Sequence, residues 1–158
     1  MGAEAALVRP QFMSGTHTLT VALFGLLRTG DTLLAATGRP YDTLEGVIGI
    51  GNAGKGCGTL REFGVNYDEC PLLPDFTPDY DLIAEKAKTA TVVHIQRSRG
   101  YTQRNAFDLA TIQKVADTAR RANPNAVIFV DNCYGEFTQT QEPCQVGALS
   151  LIHISEPT

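Results

Sequence analysis

Apolar positions along the chain fall into two kinds of run. Residues 32–36 (TLLAA), 91–96 (TVVHIQ) and 126–131 (AVIFVD) are short and nearly continuous, as in strands buried on both faces. Residues 5–8 and 60–67 read as further strands. Between them lie segments with helical spacing. Residues 18–27 are apolar over most of their length and predict a largely buried helix, capped by Ser14 and stopped at Gly30. Residues 41–48 predict a short helix. Residues 79–88 predict another, with Asp79 and Asp81 at its positive end. Residues 108–122 predict a third, with Arg120 and Arg121 in its last turn and Asn123-Pro124 as its stop. A glycine-rich stretch (49–58) and the prolines Pro71, Pro74 and Pro78 mark loops. The alternation predicts an α/β fold, a three-layer sandwich around a mostly parallel sheet. Such sheets bind ligands at the carboxyl ends of their strands.

Composition narrows the partners. The 158 residues suffice for one domain, and 43% hydrophobic against 19% charged residues is a folding composition. A net charge of -4, from 13 basic and 17 acidic residues, offers no basic stripe, so no nucleic-acid partner is expected. No apolar run approaches the ~20 residues that cross a bilayer. The N-terminus lacks the basic-then-apolar order of a signal peptide. Cys57, Cys70, Cys133 and Cys144 show neither C-x-x-C spacing nor zinc-like His partners, and read as reduced thiols. A cytoplasmic location and no metal site are expected.

The last ten residues, 149–158 (LSLIHISEPT), fit no pattern upstream. They are the translation of CTG TCT CTT ATA CAC ATC TCC GAG CCC ACG, which resembles a transposase-type sequencing adaptor. Residues 1–148 are therefore read as a partial domain and 149–158 as an artefactual tail left out of fold reasoning, and His153 is given no role.

Five constellations could carry chemistry. Ser14-Gly15-Thr16 enters the first helix, where free N–H groups, a positive dipole end and hydroxyls can cup a phosphate. Asp131 closes the strand AVIFVD. Its carboxylate could pair with a protonated ring nitrogen, hold Mg²⁺ or cap the next turn. Tyr41 follows the strand TLLAA, where an aromatic ring can stack on a planar cofactor. After TVVHIQ come Arg97, Ser98, Arg99 and Arg104, three arginines suited to carboxylate or phosphate binding. Lastly, Gly49-Ile50-Gly51-Asn52-Ala53-Gly54-Lys55 has the glycine and lysine spacing of a P-loop, with AVIFVD as the matching acidic strand. Gly56 stands where Ser or Thr would bind Mg²⁺, which favours a flexible glycine loop.

The stretches GAEAALVRPQFMSGTHTL, LLAATGRPYDTLEGVIGI, HIQRSRGYTQR and NPNAVIFVDNCYGEFTQTQEP run from Gly2 to Pro143. Together they resemble the bacterial aluminium resistance protein family, also called a methionine gamma-lyase family, among the fold-type I enzymes that use pyridoxal phosphate (PLP). The resemblance implies that Ser14, Gly15 and Thr16 hold the cofactor phosphate, that Tyr41 stacks on its pyridine ring and that Asp131 pairs with the pyridine nitrogen. Arg97 and Ser98 are placed near the cofactor by their loop alone. It further implies a small amino-acid substrate, elimination of a sulfur leaving group and a homo-oligomeric parent. The family's Schiff-base lysine follows the Asp strand in a Ser-x-x-Lys-type segment. Here Lys55, Lys86, Lys88 and Lys114 all precede Asp131. The chain is thus read as an inactive fragment of a carbon–sulfur lyase-like enzyme. The alternatives are a P-loop-like nucleotide-binding module using Lys55 and Asp131, and a non-enzymatic α/β binding module.

Overall fold

A computed structural model of the chain describes residues 2–51, 56–148 and 150–152. Five strands, β1 (Thr32–Ala35), β2 (Asn66–Glu69), β3 (Val92–Gln96), β4 (Val127–Asp131) and β5 (Ser150–Ile152), form one sheet in the order β2-β1-β3-β4-β5. Every pairing is parallel. Four α-helices accompany them: α1 (Gly15–Leu26), α2 (Asp42–Ile48), α3 (Tyr80–Lys86) and α4 (Leu109–Ala122).

Strand alternation sorts the core into two halves. Leu33, Val92 and Phe129 pack with Leu19 and Leu23 of α1 and Leu44 and Ile48 of α2. The neighbouring positions Leu34, Val93, Ile95, Ile128 and Val130 pack with Ile83 of α3 and Ile112, Val115 and Ala119 of α4. Side chains that alternate faces at period two leave helices on both sides of the sheet. The expected three layers are present, and among the described residues the sheet is all parallel.

Helices α1, α3 and α4 begin where a short polar side chain accepts a free amide, whereas α2 starts at Tyr41 without one. Ser14 Oγ accepts from His17 N, Asp79 Oδ1 from Leu82 N and Asp108 Oδ1 from Thr111 N, at 3.2, 3.0 and 2.8 Å. The last turn of α4 carries Arg120 and Arg121 against the dipole's negative end.

Three expectations change, and the stretch set aside as a tail is described in part. Residues 5–8 make no strand; they are exposed and pair with no neighbour, and an apolar tetrad without a ladder partner has nothing to hold it extended. The strand expected over 60–67 starts at Asn66, because Gly64 turns the chain at φ 80°, where a Cβ would meet Thr29 Cγ2 at 2.7 Å. Helix α1 is not largely buried. Only Leu19 and Leu23 are, one turn apart, with Leu27 at its C-cap, while Val21 is 46% exposed. Finally, Ser150–Ile152, within the stretch set aside as a tail, pairs with Phe129–Asp131 of β4 at the sheet edge.

Candidate functional site

In the order β2-β1-β3, the chain leaves β1 toward one side and returns as β3 on the other. A crevice opens outside the carboxyl ends at such a switch point. A cavity of about 810 Å³ lies at this edge. Ser14, Gly15, Thr16, Tyr41, Arg97, Ser98 and Asp131, scattered over 118 positions of sequence (131 against 14, counted inclusively), all line it.

The start of α1 forms one wall. Ser14 is extended (φ -163°, ψ 168°), and its hydroxyl oxygen accepts from the His17 amide, which leaves its O–H to donate. The first-turn N–H groups of Gly15 and Thr16 have no acceptor within the helix by construction of the α-helix. No acidic residue opposes an anion in this turn. Thr16 Oγ1 donates to Thr43 Oγ1 at 2.9 Å, tying α1 to α2. Changing Ser14 to Ala should cost about 1 kcal/mol of stability, read from the urea midpoint.

Tyr41 is the N-cap of α2. Its amide donates to Gln96 Oε1 at 2.8 Å, which ties the end of β1 to the end of β3. Its hydroxyl meets that of Tyr101 at 3.1 Å, with the ring centroids 5.4 Å apart. That hydrogen bond is the main cause pushing the Tyr41 phenol up to about 12, so it stays protonated at any ordinary pH.

Asp131 ends β4 opposite Gln96 and lies on the α1–α2 side, in step with Phe129 two residues earlier. It is 6% exposed, and its Oδ1 accepts from Cys133 N at 3.1 Å. His94, on β3, is buried beside Phe129 at 5.9 Å between ring centroids. Burial pushes its imidazole down, against the attraction of Asp131, and its Nε2 has no partner among the described residues. A neutral imidazole leaves the charge of Asp131 uncompensated.

Arg97 and Arg104 do not present their charge to the cavity as an anion site. All five donors of Arg97 are taken. Nε donates to Phe107 O at 3.2 Å, and Nη1 to Asn132 Oδ1 and Gly135 O at 2.7 and 2.8 Å. Nη2 donates to Thr138 Oγ1 and Gln139 Oε1 at 3.1 and 2.9 Å. Arg104 donates to the carbonyls of Gln96, Arg97, Ser98 and Asn105. Burial pushes it down to about 10. Both are frame residues, because a guanidinium can gather several carbonyls at once. The arginine on the cavity wall that is exposed is Arg99. Thr43, Tyr101 and Tyr134, which carry no assigned role in the sequence, line the same cavity. The signal for Tyr134 was its place three residues past a strand end.

The described flanks of the glycine stretch lack the setting of a P-loop. Lys55 lies outside the described residues. The flanks run from helix α2 into turns, not from a strand into a helix. The amides of Gly58 and Thr59 donate to the Glu62 carboxylate at 2.8 and 3.1 Å.

An open parallel sheet flanked by helices, with a cavity at the carboxyl ends of its strands, defines an α/β class of protein that binds its ligand at the switch point of the sheet. Within that class the chain belongs to the methionine gamma-lyase family, whose profile matches residues 1–155. It is 46% identical to a Clostridium novyi NT carbon-sulfur lyase involved in aluminum resistance, with a TM-score of 0.86 over 92% of this chain and 35% of that one. The uncharacterized protein YnbB of Bacillus subtilis is 47% identical over 148 residues, 93% of this chain and 35% of that protein. The more distant metB of Corynebacterium glutamicum (17% identity, TM-score 0.56, 87% of this chain and 30% of that one) shares the fold. The chain thus spans about a third of the length of its relatives. Among the described residues, no helix is long and apolar enough to cross a membrane.

Proposed function

We propose that the cavity is a PLP site and that the chain is the cofactor-binding part of a lyase acting on a sulfur-containing amino acid. The observation that carries this reading is the convergence of Gly15–Thr16, Tyr41 and Asp131 on one cavity. Its volume of about 810 Å³ suits a cofactor with a small substrate.

The residues present fit the group. The Gly15 and Thr16 amides at the positive end of a 12-residue helix would take the phosphate, with the Ser14 O–H beside them, since the Thr16 hydroxyl donates to Thr43. Tyr41, held through its amide by Gln96, would lie against the ring. Asp131 already commits Oδ1 to the Cys133 amide, which leaves Oδ2 to accept from a protonated ring nitrogen. Bound PLP supplies an electron sink for charge developing at the substrate α-carbon. The buried carboxylate holds the proton on the ring nitrogen, where that sink needs it.

The chain's described residues supply no amine at this place. Lys86 is 2.6 Å from Asp68 Oδ1 and 2.8 Å from Glu69 O, and Lys114 lies 3.9 Å over the Tyr80 ring. Neither lines the cavity. At the described cavity PLP would therefore be held without a bond to a described lysine. The names of relatives support carbon–sulfur cleavage for the whole protein.

Two measurements test the reading. Titration followed through the five tyrosines, in a chain without tryptophan, should show PLP binding at least about tenfold tighter than pyridoxal, which lacks the charged phosphate. Equal affinities would remove the helix start from the site. Borohydride treatment should leave PLP dialysable, and a stable adduct on a lysine peptide would contradict the non-covalent assignment.

A further inference from the structure

The turn after Asp131 combines a fixed backbone with exposed rings. Gly135 N donates to Asn132 O at 2.8 Å, and Phe137 N to Glu142 Oε1 at 3.0 Å. Asn132, fully buried, accepts from Arg97 through Oδ1 and donates to Glu142 Oε2 at 3.3 Å through its amide nitrogen. Four of Arg97's five hydrogen bonds end on residues 132–139. The fit is tight: a Cβ on Gly135 would lie 2.5 Å from Arg97 Nη1.

On this frame Tyr134 takes a left-handed conformation, φ 65°, and is 81% exposed while lining the cavity. A bulky side chain in that backbone region is uncommon and is retained where the surroundings dictate it. Tyr101, 84% exposed and hydrogen-bonded to Tyr41, contributes a second ring to the same cavity. Aromatic rings held on a rigid frame form a preorganised apolar contact, and thioether sulfur is attracted to ring edges.

We propose that Tyr134, presented by the Arg97–Asn132–Glu142 frame, is the residue that selects the apolar, sulfur-bearing side chain of the amino-acid substrate. Arg97 is a positioning residue in this arrangement, not a ligand. The inference rests on reading the cavity as a site for PLP and an amino acid.

The test uses the full chain saturated with PLP and reads the binding of methionine, methionine sulfoxide and alanine by calorimetry. Methionine should bind up to about tenfold more tightly than the other two. Tyr134→Ala should erase that preference without lowering PLP affinity, and Tyr134→Phe should keep it, because the ring is the contact. Arg97→Lys should weaken the preference and speed hydrogen exchange across residues 132–139. A Tyr134→Ala chain that still prefers methionine overturns the proposal, as does wild type binding the three ligands equally. So does a Tyr134→Ala variant that changes the oligomeric state and leaves the preference intact, since the ring would then serve contact between copies. Wild type that fails to bind PLP overturns the site reading itself, which the preceding titration detects separately.

Discussion

Replacing Asp131 by asparagine is expected to weaken PLP binding by about one to two orders of magnitude while the fold survives. The magnitude follows from a hydrogen bond to a charged partner being worth about 1.5–3 kcal/mol, with about 1.4 kcal/mol for each factor of ten. Asparagine keeps the size of the side chain, and its Oδ1 can still accept from Cys133 N. What it lacks is the negative charge. Buried His94 is pushed toward its neutral form, so it does not offset that charge. A PLP titration paired with a thermal melt separates the outcomes. Lost affinity with an unchanged melt assigns the carboxylate to the cofactor. A lowered melt with unchanged affinity would reduce Asp131 to a turn cap, one of the roles its position after a strand leaves open.

The largest effect on stability is expected for Phe129→Ala, about 3–5 kcal/mol. Phe129 is fully buried at the centre of the cluster between the sheet and α1–α2, with Leu19, Leu23, Leu33 and Val92 in the same cluster. Two of the strands that flank it supply parallel backbone ladders and cannot close inward to fill the space. A loss of that size is a large part of the margin by which a domain is folded, about 5–15 kcal/mol. Urea unfolding should show the midpoint fall with an unchanged slope. Phe129→Leu, which keeps most of the volume, should cost under about 1.5 kcal/mol if packing is the cause. Excess PLP should restore part of the loss in the alanine variant, because a ligand that binds only the folded state adds to its stability.

How far the sequence could be read differs by element. The strands 32–36, 91–96 and 126–131 were legible because burial on both faces leaves an apolar run with few alternatives. The start of α1 was legible from Ser14 as its cap, and that of α3 from the carboxylates Asp79 and Asp81 at its positive end. Strand β2 was not: its residues Asn66–Glu69 are polar, as suits a sheet edge, so the apolar signal fell on the turn before it. Helix α1 misled in the opposite sense, since its exposed apolar positions carry the same composition as buried ones. For the site, residue type and position, at a helix start for Ser14, Gly15 and Thr16 and after a strand for Tyr41 and Asp131, were enough to single out residues that line one cavity. They could not show that Arg97 spends every donor inside the protein, because hydrogen-bond saturation is a property of the folded neighbourhood. Family resemblance supplied the expected PLP roles, which geometry alone leaves open.

Alternation along the strands has a consequence for how this protein can change. Phe129 and Asp131 face α1 and α2, whereas Ile128 and Val130 face α3 and α4. Ile112, Val115 and Ala119 lie across the sheet from Asp131, whereas Ala106, Phe107 and Asp108, which lead into α4, line the cavity, and distant substitutions combine almost additively. The body of α4 is therefore free to drift, or to be engineered for robustness, while its start and the opposite side of the sheet keep the chemistry.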